Sequence, residues 1–257
     1  MREWRLEDGT PVLHFDEIDS TNAEAARRAS GRDPASFWVL ADAQTAGRAR
    51  RGRSWSSLEG NLFASYLCRP RMTPERAALS TFAASLAVLD TVNALLGGQM
   101  GRITLKWPND VLIDGRKVAG ILLESAAGQG REVAWLVTGF GINVAASPPH
   151  GAIRSGGAVP ISIAEAGGGR LPPDEVLALL GPSLGGWMRR IEHDGFEAIR
   201  EIWLSRAARR GEVIGAGLAS ERLEGVFEDV DATGALVLRT RDGSLRHISA
   251  ADIYFPD

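Results

Sequence analysis

The chain has 257 residues, and its 29 lysines and arginines against 32 aspartates and glutamates leave a net charge of −3, which argues against a protein that coats nucleic acid. With 44% apolar and 24% charged residues it has the make-up of a globular protein able to bury a sizeable core. The single Cys68 excludes an internal disulfide and a cysteine metal centre, and His14, His150, His193 and His247 lack metal-ligand spacing.

In chain order, strands are predicted at Val12–Phe15 and Phe37–Ala41, flanking a helix that starts at Ser20 or Thr21 with Thr21 and Glu24 as a capping box. Asn61–Leu67 reads as a strand, and Thr73-Pro74 opens a long helix that ends at Gly97-Gly98. Asp114-Gly115 between the apolar runs Val111–Ile113 and Val118–Leu123 predicts a tight hairpin, with Pro108 stopping the preceding strand. Val133–Asn143 is a further strand. Helices follow at 173–192 and 196–208, the first threatened by Gly181, Pro182, Gly185 and Gly186. From Arg210 the pattern changes to short strands, Val213–Leu218, Arg222–Glu228, Ala235–Arg239 and Leu245–Ser249, parted by turns such as Thr233-Gly234 and Asp242-Gly243. The chain therefore divides into an α+β domain, 1–209, and a small β-module, 210–257, too short to be secure alone and expected to pack on the first. No run approaches the ~20 apolar residues of a membrane span. The first residues mix acid with base and show no signal sequence, so a cytoplasmic location is expected.

Two segments carry chemistry. In 44–55, Gln-Thr-Ala-Gly-Arg-Ala-Arg-Arg-Gly-Arg-Ser-Trp, four arginines (Arg48, Arg50, Arg51, Arg53) sit beside Gly47 and Gly52. Guanidinium forks bind phosphate and carboxylate bidentately, and glycine lets a backbone approach a ligand. In a mildly acidic protein such a loop points to a small anionic ligand, although a solvated basic loop has the same composition. In 105–124 the predicted hairpin sets Lys106 and Asp110 near Lys117 and Gly120 on one sheet face. Ser20, Thr21 and Asn22 at a helix start suit a small polar group, or serve only as caps. Gln44 offers both a donor and an acceptor.

These segments, with Asp19-Ser20-Thr21-Asn22, Gly60-Asn61-Leu62 and Gly139-Phe140-Gly141-Ile142-Asn143, resemble the biotin protein ligases in order and spacing. The resemblance covers 14–145 in detail. It implies a mixed β-sheet flanked by helices, the biotin/lipoate ligase-type catalytic domain, followed by a small SH3-like β-barrel. It implies ATP-dependent formation of biotinyl-5′-AMP and transfer of biotin to a lysine of a biotin carboxyl carrier domain, with Mg2+ accompanying ATP and no protein metal site. By the same resemblance Lys117, Arg50, Lys106 and Asp110 are catalytic, Lys117 holding the biotin carboxylate and the reacting phosphate. Biotin is assigned to Ser20, Thr21, Asn22, Gln44, Gly47, Arg48, Arg50, Lys117 and Gly120. ATP and the adenylate are assigned to Arg48, Arg50, Arg53, Trp55, Asn61, Lys106, Gly139, Gly141 and Asn143. Trp55 is either a lid or ordinary core, and Arg51 is expected in solvent. The family's middle glycine is replaced by Ala49, which is costly if that position needs a positive φ.

A lipoate ligase of the same fold is the alternative. Its supporting motif, Arg154-Ser155-Gly156-Gly157-Ala158-Val159, falls in a Gly/Pro/Ser-rich connection where a surface loop is expected. Only thirteen residues precede His14, so no DNA-binding domain is expected there, and no membrane partner. Monomer and homodimer both remain open.

Overall fold

The computed structural model describes residues 1–29, 31, 36–149, 158–218 and 221–256. Eight strands precede the long C-terminal helices: β1 (Arg2–Arg5), β2 (Pro11–Ile18), β3 (Phe37–Gln44), β4 (Leu62–Cys68), β5 (Ile103–Lys106), β6 (Asp110–Ile113), β7 (Arg116–Ala127) and β8 (Val133–Ile142). They form one mixed sheet in the order β1-β2-β3-β4-β8-β7-β6-β5, in which only β2 and β3 run parallel. The helices are α1 (Thr21–Ala29), α2 (Pro74–Leu95), α3 (Pro173–Asp194) and α4 (Phe196–Leu204).

The apolar run of β3 is continuous because both sheet faces are covered. Phe37 and Val39 join the small core under α1, while Trp38 and Leu40 face the large core shared with α2 and α3. Thr73 caps α2 as expected, accepting from the Arg76 N–H. By composition α2 is long and apolar enough to cross a membrane, contrary to the sequence expectation, but 67% of that stretch is buried and it is the central core helix. The break expected in α3 does not occur. Its run continues through Pro182 because Gly181 lets Leu6 pack against the helix and Val176, Leu177, Leu180 and Leu184 are buried; that packing offsets the local propensity. Sequence reasoning also missed β1, an exposed edge strand of alternating charge.

The C-terminal module holds β9 (Val213–Gly217), β10 (Arg222–Val230), β11 (Leu236–Arg239), β12 (Leu245–Ile248) and β13 (Asp252–Tyr254), ordered β12-β11-β10-β9-β13 and antiparallel throughout. Among the described residues no ladder joins β12 to β13, so the expected barrel is not closed by hydrogen bonds. Yet residues 249–251 alone carry the chain from one edge to the other, and that short reach requires the sheet to curl. The module packs on the first domain as expected. Phe227, Leu236 and Ile248 share the large core with Phe82 and Trp107, and the Trp107 indole donates to the Gly234 carbonyl at 3.0 Å. The segment after α4 covers the outer edge of β5: Leu105 N–H donates to Arg206 O, and Ala208 N–H to Leu105 O.

Candidate active site

The hairpin forms as its turn chemistry dictates. Asp114 and Gly115 take φ values of 49° and 76°, the left-handed pair that matches strand twist. Register then sets Asp110 opposite Gly120, and Gly120 opposite Gly141 on β8. Lys117 Nζ lies 2.6 Å from Asp110 Oδ1. The glycine pair opens a slot that the Trp55 ring occupies, since a Cβ on either residue would collide with that ring. Lys117 Nζ stands 5.3 Å from the Trp55 ring centroid. Trp55 Nε1 is buried without a hydrogen-bond partner among the described residues. Gly139, two residues before Gly141, leaves room for the Asn22 amide in the same way.

The start of α1 supplies the polar end of the cleft. Ser20 Oγ accepts from Ala23 N–H at 3.4 Å, so Ser20 is the cap. The expected Thr21–Glu24 capping box is not formed, because Glu24 pairs with Arg27 and Arg28 instead. Thr21 donates to Gln44 Oε1 through both its N–H (2.9 Å) and its hydroxyl (3.2 Å). Ser65 Oγ donates to Asn22 Oδ1 and lies 2.8 Å from Thr21 Oγ1. Asn22 Nδ2 donates to Glu124 Oε2 at 2.8 Å. This network fixes Ser20, Thr21 and Asn22, all buried, and leaves the Gln44 amide N–H groups without a partner among the described residues.

The arginine loop folds back on itself: Ala49 N–H donates to Arg53 O, and Trp55 N–H to Gly47 O. Ala49 has φ −125°, so the condition under which alanine would be costly is not met and the substitution of the family glycine carries no backbone strain. The left-handed positions are Arg51 (φ 57°) and Gly52 (φ 69°). Arg48 pairs with Glu124 at 2.9 Å, and Arg50 Nη1 donates to Asn109 Oδ1 at 3.2 Å. Arg51 is exposed, as expected, and it reaches Asp252 on β13 at 2.9 Å; Arg53 meets the same carboxylate at 2.6 Å. Burial pulls the Arg50 guanidinium and the Lys106 ammonium below their usual pKa ranges, partly offset by Asp110.

One cleft of about 790 Å³, mouth included, is lined by Ser20, Thr21, Asn22, Gln44, Arg48, Arg50, Arg53, Trp55, Lys106, Asp110, Lys117, Gly120, Gly139 and Gly141. That volume suits a ligand of a few hundred daltons. Three sequence-predicted residues lie elsewhere. Gly47 stands behind the loop, where a Cβ would press on Trp55 O and Gln44. Asn61 is fully buried, and its amide is spent on the backbone of Val144, Ala145 and Ala146. Asn143 donates its amide to Ile161 O and borders an adjoining cavity beyond Trp55. Sequence reasoning missed Ser65, Asn109, Glu124, Asp252 and Phe255. Only Asn109 and Glu124 lay within a segment already singled out; the others come from distant strands or the tail of the module.

The Biotin/lipoate A/B protein ligase family matches residues 15–143, and the biotin protein ligase C-terminal domain matches 212–255. The chain belongs to the biotin protein ligase family. It is 44% identical over 237 residues to a biotin–[acetyl-CoA-carboxylase] ligase of Paracoccus denitrificans, covering 92% of this chain and 97% of that one. It is 32% identical to the bifunctional ligase/repressor BirA of Bacillus subtilis over 95% of this chain and 74% of that protein. Its fold superposes on the biotin protein ligase of Aquifex aeolicus in complex with biotin and ATP, with TM-score 0.77 and 24% identity over 94% and 97% of the two chains. The mixed sheet and the C-terminal module meet at this cleft, where Ala251, Asp252 and Ile253 are among the lining residues.

Proposed function

We propose that this biotin protein ligase family member makes biotinyl-5′-AMP from biotin and ATP, and then transfers biotin to a lysine of a biotin carboxyl carrier domain. The observation that carries the reading is Lys117. Its ammonium stands beside Gly120 and the Trp55 ring, in the cleft that the polar start of α1 lines together with Arg50, Arg53 and Lys106. A ureido ring needs paired donors and acceptors, which Thr21, Asn22 and Gln44 supply. An aliphatic tail needs an apolar wall, which the Trp55 ring seated on Gly120 and Gly141 offers with Ile121 and Phe140.

In the first step a biotin carboxylate oxygen attacks the α-phosphorus and pyrophosphate leaves. Two anions must approach, and the cations of the cleft offset their repulsion. Lys117 touches both reacting groups, while Arg50 and Lys106 neutralise charge on the phosphates. In the second step the acceptor lysine nitrogen attacks the acyl carbon and AMP leaves. Asp110 orients that amine and takes its proton once Lys117 has turned to the phosphate. Mg2+ enters on the nucleotide; among the described residues no cluster of three or more acidic, histidine or cysteine side chains offers a resident site.

The test is incubation with ATP and either biotin or lipoate, followed by mass spectrometry of the bound adenylate and blotting of a recombinant carrier domain. Biotinyl-adenylate and a biotinylated carrier are expected. Lipoyl-adenylate alone would overturn the reading.

A further inference from the structure

Two lysines serve the cleft, and they are held differently. Lys117 has a carboxylate at 2.6 Å. Lys106 is only 6% exposed, yet among the described residues its ammonium has no hydrogen bond and no ion pair. Its stem is buried and its ammonium opens only to the cleft, and an ammonium so largely desolvated without a counter-ion is costly. The nearby acids are committed elsewhere, Asp110 to Lys117 and Asp252 to Arg51 and Arg53. The other charges that face it, Lys117 and Arg53, repel it. What meets Lys106 is an aromatic ring from the other domain: Nζ lies 5.1 Å from the centroid of Phe255, just after β13. The same ring carries the Arg209 guanidinium at 5.5 Å. The negative face of an aromatic ring attracts cations, and the attraction grows when they are desolvated.

We propose that Phe255 is a positioning residue for adenylation: its ring face holds the Lys106 ammonium charged and in place for the ATP phosphates. The C-terminal module thereby sets part of the phosphate-binding charge of the catalytic domain. The inference rests on the biotin-ligase reading and concerns the ATP side alone.

The test compares Phe255→Leu, Phe255→Tyr and pentafluorophenylalanine at position 255 in the full chain, reading ATP- and biotin-dependent pyrophosphate release and thermal melting. The fluorinated ring keeps the shape of phenylalanine and reverses the sign of its face, so it separates charge from packing even if the leucine variant folds poorly. Expected is a rise in KM for ATP of about tenfold for the leucine and pentafluoro variants, equivalent to about 1.4 kcal/mol. KM for biotin should stay within about twofold, and tyrosine should behave like wild type. In a Lys106→Ala background the leucine change should add less than about twofold. Wild-type-like KM for ATP in the pentafluoro variant, or an undiminished loss without Lys106, would overturn the proposal. If wild type itself made no biotinyl-adenylate, the function reading would fall and the proposal with it. Normal wild-type turnover with indifferent variants would remove the proposal alone.

Discussion

The β6–β7 hairpin and the arginine loop both deliver cations to the cleft, but the first is anchored in strand ladders on both sides, whereas the second adds only its own turn bonds and side-chain ion pairs. Lys117 and Asp110 project from ladders fixed on both sides by β5 and β8. Arg48, Arg51 and Arg53 are held by Glu124 and Asp252, in pairs whose side chains are partly exposed. Such pairs are worth only about 0.2–1 kcal/mol each. A triphosphate or acyl phosphate can therefore draw these arginines from their carboxylates at small cost, whereas the hairpin charges are in position before any ligand arrives. The difference separates charges on a backbone set by strand pairing from charges held by exposed ion pairs.

The largest expected effect lies on the hairpin side. Lys117→Ala should lower adenylate formation by roughly 10²-fold or more while lowering the melting temperature only slightly, because the ladder does not depend on its side chain although Asp110 loses its partner. Pyrophosphate release and melting on one preparation decide this; near-normal release would remove Lys117 from the chemistry. In the arginine loop, Arg50→Gly deletes a charged fork bonded to Asn109 and adds backbone freedom. The variant should still form the adenylate but lose it roughly tenfold faster. Streptavidin blots would then show labelling of bystander albumin above wild type, and equal labelling with adenylate still formed would count against a retaining role. Asp252→Ala should free Arg51 and Arg53, speed hydrogen exchange across residues 48–54, and raise KM for ATP by roughly two- to fivefold at low salt, less at high salt. Unchanged exchange would mean that the loop holds itself.

The smallest effect concerns Asp19, at the entrance to α1. The Arg27 guanidinium, bonded to both of its oxygens, holds its carboxyl down to about 2. A depressed folded-state pKa gives stability that is present above about pH 4 and is lost as pH falls through about 2. Because the pair is largely exposed, Asp19→Asn should cost less than about 1 kcal/mol at pH 7. The difference in urea midpoint from wild type should shrink below pH 4, and a difference that grew on acidification would refute the pairing.

Much of the hairpin region was legible in the sequence, because local chemistry determines it. Asp114-Gly115 dictates the turn, and the turn dictates which residues face one another. The arginine loop was legible in composition but not in geometry. Nothing local shows that Ala49 is extended while Arg51 is left-handed, or that Arg51 finds an acid some two hundred residues away. Asn61 and Asn143 lie in segments that matched the family in order, yet their amides serve neighbouring backbone, a role visible only when the chain beyond Ile142 has a place. Ser20 rather than Thr21 caps α1 because Glu24 finds arginines on its own helix. The short β13 and the ring of Phe255 carry no periodic signal, so the aromatic partner of Lys106 could not be read in advance.

The hydrogen bond from Trp107 to Gly234 reaches beyond catalysis, into how the protein comes apart. The Thr233-Gly234 turn rests against Leu79 and Phe82 of α2, and Arg200 ties α4 to Val230 and Asp229. Lifting the small sheet would expose core aromatics and a tryptophan at once, while leaving its own apolar face with nothing beneath it. Heat or urea should thus meet one cooperative transition rather than two, with a denaturant slope set by the surface of the whole chain. A chain severed near residue 210 would yield two sticky halves, not two smaller proteins.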